Sequence, residues 1–370
     1  MAGATKATVD LEALRANVRF VRELVGKGRL ILACVKANAY GHGALRCANA
    51  ALQAGADALG VARLDEALEL RQNGIGARIV LIGPESLEAT NDLVRADVEI
   101  AIDCADRLEA VLRAGKASRR VPIVHLAVDS GMARFGASFE EASQLAVCLS
   151  QAPEVRWAGV MTHFPVADTD QQRSVEQWRR FHALLSRWKT RGIAVPCCHA
   201  ANSAAIMGLP ETHADMVRPG IMLYGIPPGT AYTSDKLRPV LRLETSVVAL
   251  HWREEGDYVG YGETFRCNRR TLIATIPAGY GDGIPWTAGN RSWVLVNGRK
   301  APVVGRISMD QTTIDVTDLR EVHLGDPVVL IGSKGDQAIT ANDWARWCGT
   351  ISYEITTRLR GRPCEIRYIE

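Results

Sequence analysis

Leu30-Ile31-Leu32-Ala33-Cys34-Val35-Lys36-Ala37-Asn38-Ala39-Tyr40-Gly41-His42-Gly43 joins a short apolar run to a lone lysine and a glycine-punctuated turn. A run of this length reads as a buried strand, so the charge at its end needs a reason. An isolated lysine at a strand end ordinarily snorkels to the surface. The chemical alternative is an amine that forms a Schiff base with a carbonyl cofactor at a strand mouth. The rest of the chain decides between the two.

Further apolar runs follow at Ala58–Ala62, Ile79–Ile82, Val98–Ile102, Val121–Val128, Val155–Met161, Pro196–His199 and Met216–Leu223. With Leu30–Val35 they make eight, separated by helix-length amphipathic stretches. The first helix is predicted from Asp10 as N-cap, a stripe of Leu11, Leu14, Val18, Val21 and Leu24, and a stop at Gly26. Eight strand–helix units fit a (β/α)8 barrel, with a doubly wound sheet as the competing α/β arrangement. After about Gly229 the pattern changes. β-rich segments run Leu241–Trp252, Thr271–Ile276, Trp293–Val296, Ala301–Val304, Thr312–Val316 and Val328–Ile331, with one late helix from Asn342 to Cys348. The expected organisation is a TIM-like barrel over residues 1–232 and a mostly antiparallel β domain over residues 233–370.

Composition narrows the function classes. The chain has 370 residues, 47% hydrophobic and 23% charged, with a net charge of +3. That balance gives no reason to expect nucleic acid or an anionic membrane as partner. The densest basic stretch, Arg113 to Arg120, reads as a solvated helix end. Nine cysteines are scattered without a Cys-x-x-Cys pair, and Cys197 and Cys198 are adjacent. This suits small buried hydrophobes in a reducing compartment, and neither zinc nor an ordinary disulfide, so no metal is expected. No apolar signal region opens the chain, and no apolar stretch reaches membrane-spanning length. These features predict a cytoplasmic protein.

A barrel carries its chemistry at the C-terminal ends of its strands. Lys36 ends the first run, Arg134 follows the fifth, His163 ends the sixth, Asn202 and Ser203 follow the seventh, and Arg218 and Gly220 lie in the eighth. Polar groups thus gather at one mouth. Five blocks then carry a resemblance: Val35 to Gly43, Arg218-Pro219-Gly220, Gly260-Tyr261-Gly262, Ser308-Met309-Asp310 and Ser352-Tyr353-Glu354. In this order and spacing the chain resembles the bacterial, pyridoxal-phosphate-dependent alanine racemases, from about Ala7 to its C-terminus.

The resemblance implies that Lys36 holds pyridoxal 5′-phosphate as a Schiff base and then acts as acid or base at the α-carbon, where the cofactor delocalises the carbanion. It implies phosphate contacts from Tyr40, Tyr353, Ser203 and the backbone N–H groups of Gly220 and Ile221, with Asn202 beside them. Arg218 would face the pyridine nitrogen. An arginine does not give up its proton, so that nitrogen stays unprotonated, the ring is a weaker electron sink, and racemisation is favoured over transamination. Tyr261 would serve the opposite face of the α-carbon from the second subunit of a homodimer. A free tyrosine has a pKa of about 10, and His163 beside Arg218 is the expected source of positive charge that lowers it. Arg134, Met309 and Asp310 would bind substrate, and Tyr280, Arg306 and Asp168 would line the entry. Alanine is the implied substrate, with serine, lysine or arginine as alternatives. A barrel-type decarboxylase is the less favoured enzyme, since that chemistry uses a carboxylate where Arg218 stands. A cofactor-binding protein without catalysis leaves the β domain and Tyr261 without a purpose.

One departure stands out. Many family members carry a lysine, often carbamylated, at the position of Ala127, where its charge orients the arginine matching Arg134. Here a bound anion such as chloride, or another carboxylate, is expected to take that place.

Overall fold

The computed structural model describes residues 5–229, 231, 232, 234–359 and 365–370. The chain forms two compact units. One comprises Leu14–Ala39 and Ala44–Arg238, the other Met1–Ala13, Tyr40–Gly43 and Pro239–Glu370. Neither is a single consecutive stretch. Thr233, at the expected boundary, lies outside the described residues.

The first unit is a closed barrel of parallel strands: Leu30–Cys34, Ala58–Val61, Arg78–Leu81, Glu99–Ile102, Ile123–Ala127, Arg156–Met161, Cys197–His199 and Met216–Val217. Pairing of Leu30 with Met216 and Ile31 with Val217 closes it. Side chains such as Ile31, Leu32, Leu59, Ile79, Val80 and Leu126 are fully buried, as expected for strands covered on both faces. The eighth run is shorter than expected. Pro219 lacks an N–H and breaks the ladder, and a 3₁₀ turn takes over at Ile221–Tyr224.

The first helix spans Leu11–Val25, and the amide of Ala13 donates to Asp10 Oδ1 at 2.8 Å. Gly26 ends it at φ +80°. On its buried face Asn17 Nδ2 donates to the carbonyls of Leu223 and Arg238 at 3.0 and 2.8 Å, and the Arg238 amide donates back to Asn17 Oδ1. This polar clamp joins the helix to the chain that leaves the barrel.

The second unit is built on a seven-stranded sheet. Its main path runs Arg299–Pro302, Trp293–Val296, Pro327–Lys334, Leu241–Ser246, Lys6–Asp10 and Glu365–Ile369. All its pairings are antiparallel except that of Lys6–Asp10 with Glu365–Ile369. A second sheet holds Ala249–Arg253, Thr271–Ile276 and Thr312–Asp315. The expected Leu241–Trp252 segment is therefore two strands in different sheets. Lys6–Asp10, Glu365–Ile369 and the helix Ser352–Thr357 were not expected from sequence, and the helix Ala341–Cys348 was.

Candidate active site

The first barrel strand ends under firm control. The Cys34 amide donates to the Pro219 carbonyl at 3.0 Å, and the Val35 amide to the Gly60 carbonyl at 2.9 Å. The backbone after Lys36 then turns left-handed at Ala37, Asn38, Ala39 and Tyr40, all with φ between +52° and +55°. Left-handed turns cost L-residues roughly 1–2 kcal/mol each, so four in succession need compensation. Glu66 supplies part of it. Its carboxylate accepts from the Ala37 amide at 2.5 Å and from the Ala62 amide at 2.8 Å, two charge-assisted bonds.

Lys36, Arg134, His163 and Arg218 line one cavity of the barrel unit, walled by Ala127, Phe135 and Met161. Arg134 sits on the loop after the fifth strand. Asp129 Oδ1 accepts from the amides of Gly131 and Met132 at 2.8 Å, and the Asp129 amide donates to the Ala137 carbonyl. No carboxylate lines the cavity among the described residues. Phe135 packs on Ala127, Ala101 and Met161, so an aromatic ring covers the site of the missing lysine.

Arg218 is 5% exposed and saturated with partners. Its Nη1 donates to the His199 carbonyl at 2.7 Å and to His199 Nδ1 at 2.9 Å. Its Nη2 donates to the carbonyls of Thr162 and Ala200 and to His163 Nδ1, at 2.5, 3.1 and 3.2 Å. Four Nη hydrogens thus serve five acceptors, which leaves Nε–H as the donor not spent on described residues. Burial, with Arg134 adding repulsion, lowers its pKa to about 10, so it remains cationic at neutral pH.

His163 follows the sixth strand. Gln177 Nε2 donates to its carbonyl at 2.8 Å and to Ser130 Oγ at 2.8 Å. Burial first, then repulsion from Arg218, Arg134 and Lys36, lowers its pKa to about 3. The imidazole is neutral at neutral pH. It cannot supply the positive charge expected of it; the cations of this cavity are Lys36, Arg134 and Arg218.

Ser203 opens the short helix Ser203–Gly208, with Asn202 as its cap: the Ala205 amide donates to Asn202 Oδ1 at 3.1 Å. Ser203 Oγ accepts from the Gly220 amide at 2.9 Å and lies 3.4 Å from the Met222 amide. Ser203, Gly220 and Ile221 therefore come together where two helical turns begin.

Within the second unit, the rings of Tyr40 and Tyr353 lie 6.0 Å apart. Gly41 follows at φ +90°, where an added Cβ would meet the Thr356 carbonyl oxygen at 2.1 Å, so only glycine fits. Tyr261, Tyr280 and Met309 are exposed, Tyr261 by 71%. The amides of Tyr280 and Gly281 donate to the carbonyls of Ser308 and Met309 at 3.0 and 2.8 Å. Arg306 stacks over Trp286 at 5.4 Å. Asp310 lies next to Met309 in this segment. Asp168 belongs to the barrel unit and is absent from the cavity lining.

Sequence reasoning missed Glu66, Glu99, His125 and Gln177. Glu99 and His125 had a signal: each is a lone ionisable group inside an apolar strand, which demands a buried partner.

Two family models together match most of the chain. A family model described as "Alanine racemase, N-terminal domain" matches residues 9–228, and one described as "Alanine racemase, C-terminal domain" matches residues 240–366. An alanine racemase of Symbiobacterium thermophilum is 41% identical over 361 residues, 97% of this chain and 95% of the relative. One of Desulforamulus reducens is 40% identical over 359 residues, 94% and 95%. Among solved structures, the alanine racemase from D-cycloserine-producing Streptomyces lavendulae superposes with a TM-score of 0.92 at 35% identity, covering 100% of this chain and 98% of that one. That of Bacillus anthracis with bound L-Ala-P gives 0.92 at 35% identity, covering 100% and 96%.

Proposed function

The chain belongs to the alanine racemase family, enzymes that interconvert L- and D-alanine, and from that premise we propose that its barrel mouth holds pyridoxal 5′-phosphate between Lys36 and Arg218. The observation that carries the reading is the cavity itself: three cations and a neutral imidazole, with no lining carboxylate among the described residues. Such a cavity suits a ligand with an anionic phenolate group and a substrate carboxylate.

When bound, the cofactor supplies an electron sink for the pair left at the α-carbon as its proton departs. Lys36 Nζ holds or delivers a proton on one face of that carbon. Tyr261 Oη does the same on the other face, from the second subunit of a homodimer; its exposure on the single chain supports that assignment. Arg218 donates through Nε–H to the pyridine nitrogen and keeps it unprotonated, since its remaining N–H groups are committed. Ser203 with the Gly220 and Ile221 amides, Asn202 beside them, and the Tyr40 and Tyr353 hydroxyls hold phosphate. His163 lies against Arg218 and the cofactor ring as a neutral contact. Arg134 binds the substrate carboxylate, and Met309 and Asp310 of the partner close the substrate side. The decarboxylase alternative lacks the carboxylate it needs opposite the ring nitrogen.

No described helix is long and apolar enough to cross a membrane. The described cysteines are free thiols, which supports a cytoplasmic site and a role in D-alanine supply for the cell wall.

The test is chiral chromatography after incubation of the purified protein and pyridoxal phosphate with single L-amino acids. Conversion of L-alanine towards an equal mixture, ahead of all others, is the expected result. Preferred inversion of serine, lysine or arginine would move the substrate. Release of carbon dioxide would overturn the reading of Arg218.

A further inference from the structure

A chain of buried polar groups runs across the barrel interior and ends on Arg218. Arg78 Nε and Nη2 donate to the two Glu99 oxygens at 2.7 and 3.0 Å. Glu99 Oε2 lies 2.7 Å from His125 Nε2, His125 Nδ1 lies 2.9 Å from His199 Nε2, and His199 Nδ1 lies 2.9 Å from Arg218 Nη1. Glu99 is 3% exposed and both histidines 0%. Barrel interiors are ordinarily filled by branched apolar side chains, so this row has a cost that its partners must offset.

The two ends decide where every proton sits. Arg218 has only donors, so His199 Nδ1 must accept. His199 then carries its proton on Nε2 and donates to His125 Nδ1. His125 in turn carries its proton on Nε2 and donates to Glu99, which only accepts while ionised. One proton arrangement satisfies the whole row, with both imidazoles neutral and of the Nε2–H tautomer. Reversing either ring would set donor against donor at Arg218 or acceptor against acceptor at Glu99. The sixth strand makes room for this: a Cβ at Gly159 would lie 2.1 Å from His125 Nδ1.

We propose that Glu99 is a positioning residue for Arg218, acting through His125 and His199 to fix the imidazole tautomers that commit the guanidinium hydrogens and leave Nε–H for the ring nitrogen. This rests on the role given above to Arg218. Removing the acceptor at Glu99 frees His125 to turn its proton towards His199. The reversal propagates to a donor–donor clash at Arg218 Nη1, and the guanidinium must shift. Glu99→Gln is gentler, because its amide oxygen can still accept from His125 while Arg78 loses one bond.

The experiment is ¹⁵N NMR of ring-labelled histidine in the holoenzyme, with assignment by single substitution, alongside racemisation kinetics and melting curves for wild type, Glu99→Gln and Glu99→Leu. In the wild type, Nδ1 of both His125 and His199 is expected unprotonated. Glu99→Leu is expected to populate the other His125 tautomer and to lower kcat by about 10- to 100-fold with a smaller change in KM, the scale of outer-shell partners elsewhere. Glu99→Gln is expected to keep the tautomers and to lose less activity. A protonated Nδ1 on either ring in the wild type overturns the proposal. So does a Glu99→Leu enzyme that melts lower but keeps its tautomers and its kcat, since Glu99 would then be only structural. The tautomers are read without reference to turnover, so this proposal and the assignment of function fail separately.

Discussion

Lys36 and Tyr261 differ in how much of their role a single chain can express. Lys36 lines a cavity whose other charged groups are also cations. Lys36→Ala is expected to abolish the absorption of the cofactor Schiff base and nearly all turnover, read by titrating pyridoxal phosphate spectroscopically. Tyr261→Phe is expected to retain that absorption and to slow α-proton removal mainly from L-alanine. Isotope exchange from each enantiomer in deuterated water checks this, and equal loss from both would count against two bases on separate faces. The neutrality of His163 shifts attention to Lys36, Arg134 and Arg218 as the charges any substrate meets.

Two elements are shaped against their own preferences. The left-handed turn after Lys36 contains no glycine until Gly41, so it is held by what it binds rather than by propensity. Glu66 bonds two amides that have no other role in the strand ladder. Glu66→Ala is expected to lower stability by about 1–3 kcal/mol in denaturant unfolding and to weaken cofactor retention in the folded enzyme. Normal retention would show that the turn stands without it. The sixth strand is the second case. Gly159→Ala places a methyl group against the His125 ring, and a loss of about 2–4 kcal/mol is expected, the scale of severe overpacking. A variant as stable as wild type would mean the ring has room that the structure denies it.

At the scale of the molecule, buried neutral imidazoles set the response to acid. His163, His125 and His199 all titrate below the ordinary histidine value, chiefly through burial. Below about pH 6.5 the unfolded chain takes up protons that the native fold refuses, so stability falls as pH drops. For His163 this continues to about pH 3. Glu99 adds to the same trend. Burial raises its pKa, but bonds from His125 and Arg78 outweigh it and set a value of about 2. Its contribution is present above its ordinary pKa of 4.5 and is lost as pH falls towards 2. Each group can add a slope of at most ~1.4 kcal/mol per pH unit. Unfolding in denaturant at pH 7, 6, 5 and 4 is expected to show a steady decline, flatter in His163→Gln. Constant stability over that range would mean that these rings take up protons in the native fold as readily as in the unfolded chain.

The amino-acid sequence by itself determined the eight-strand barrel, the β-rich second unit and the residues at the strand ends. Those follow from local pattern: apolar runs of strand length, amphipathic spacers, and polar groups at the ends of the runs. The motif blocks then pointed to the family, and Lys36, His163, Arg134 and Arg218 do meet in one cavity. Tertiary structure alone decided the rest. Lys6–Asp10 pairs with strands from the far end of the chain, a register no local window contains. His125 and His199 are 74 residues apart in sequence yet within hydrogen-bond distance. The charge of His163 was misjudged from sequence because a pKa depends on burial and on neighbours brought together by folding. A side chain's type is written in the chain, but its proton is placed by the groups that surround it, and only the closed barrel assembles those.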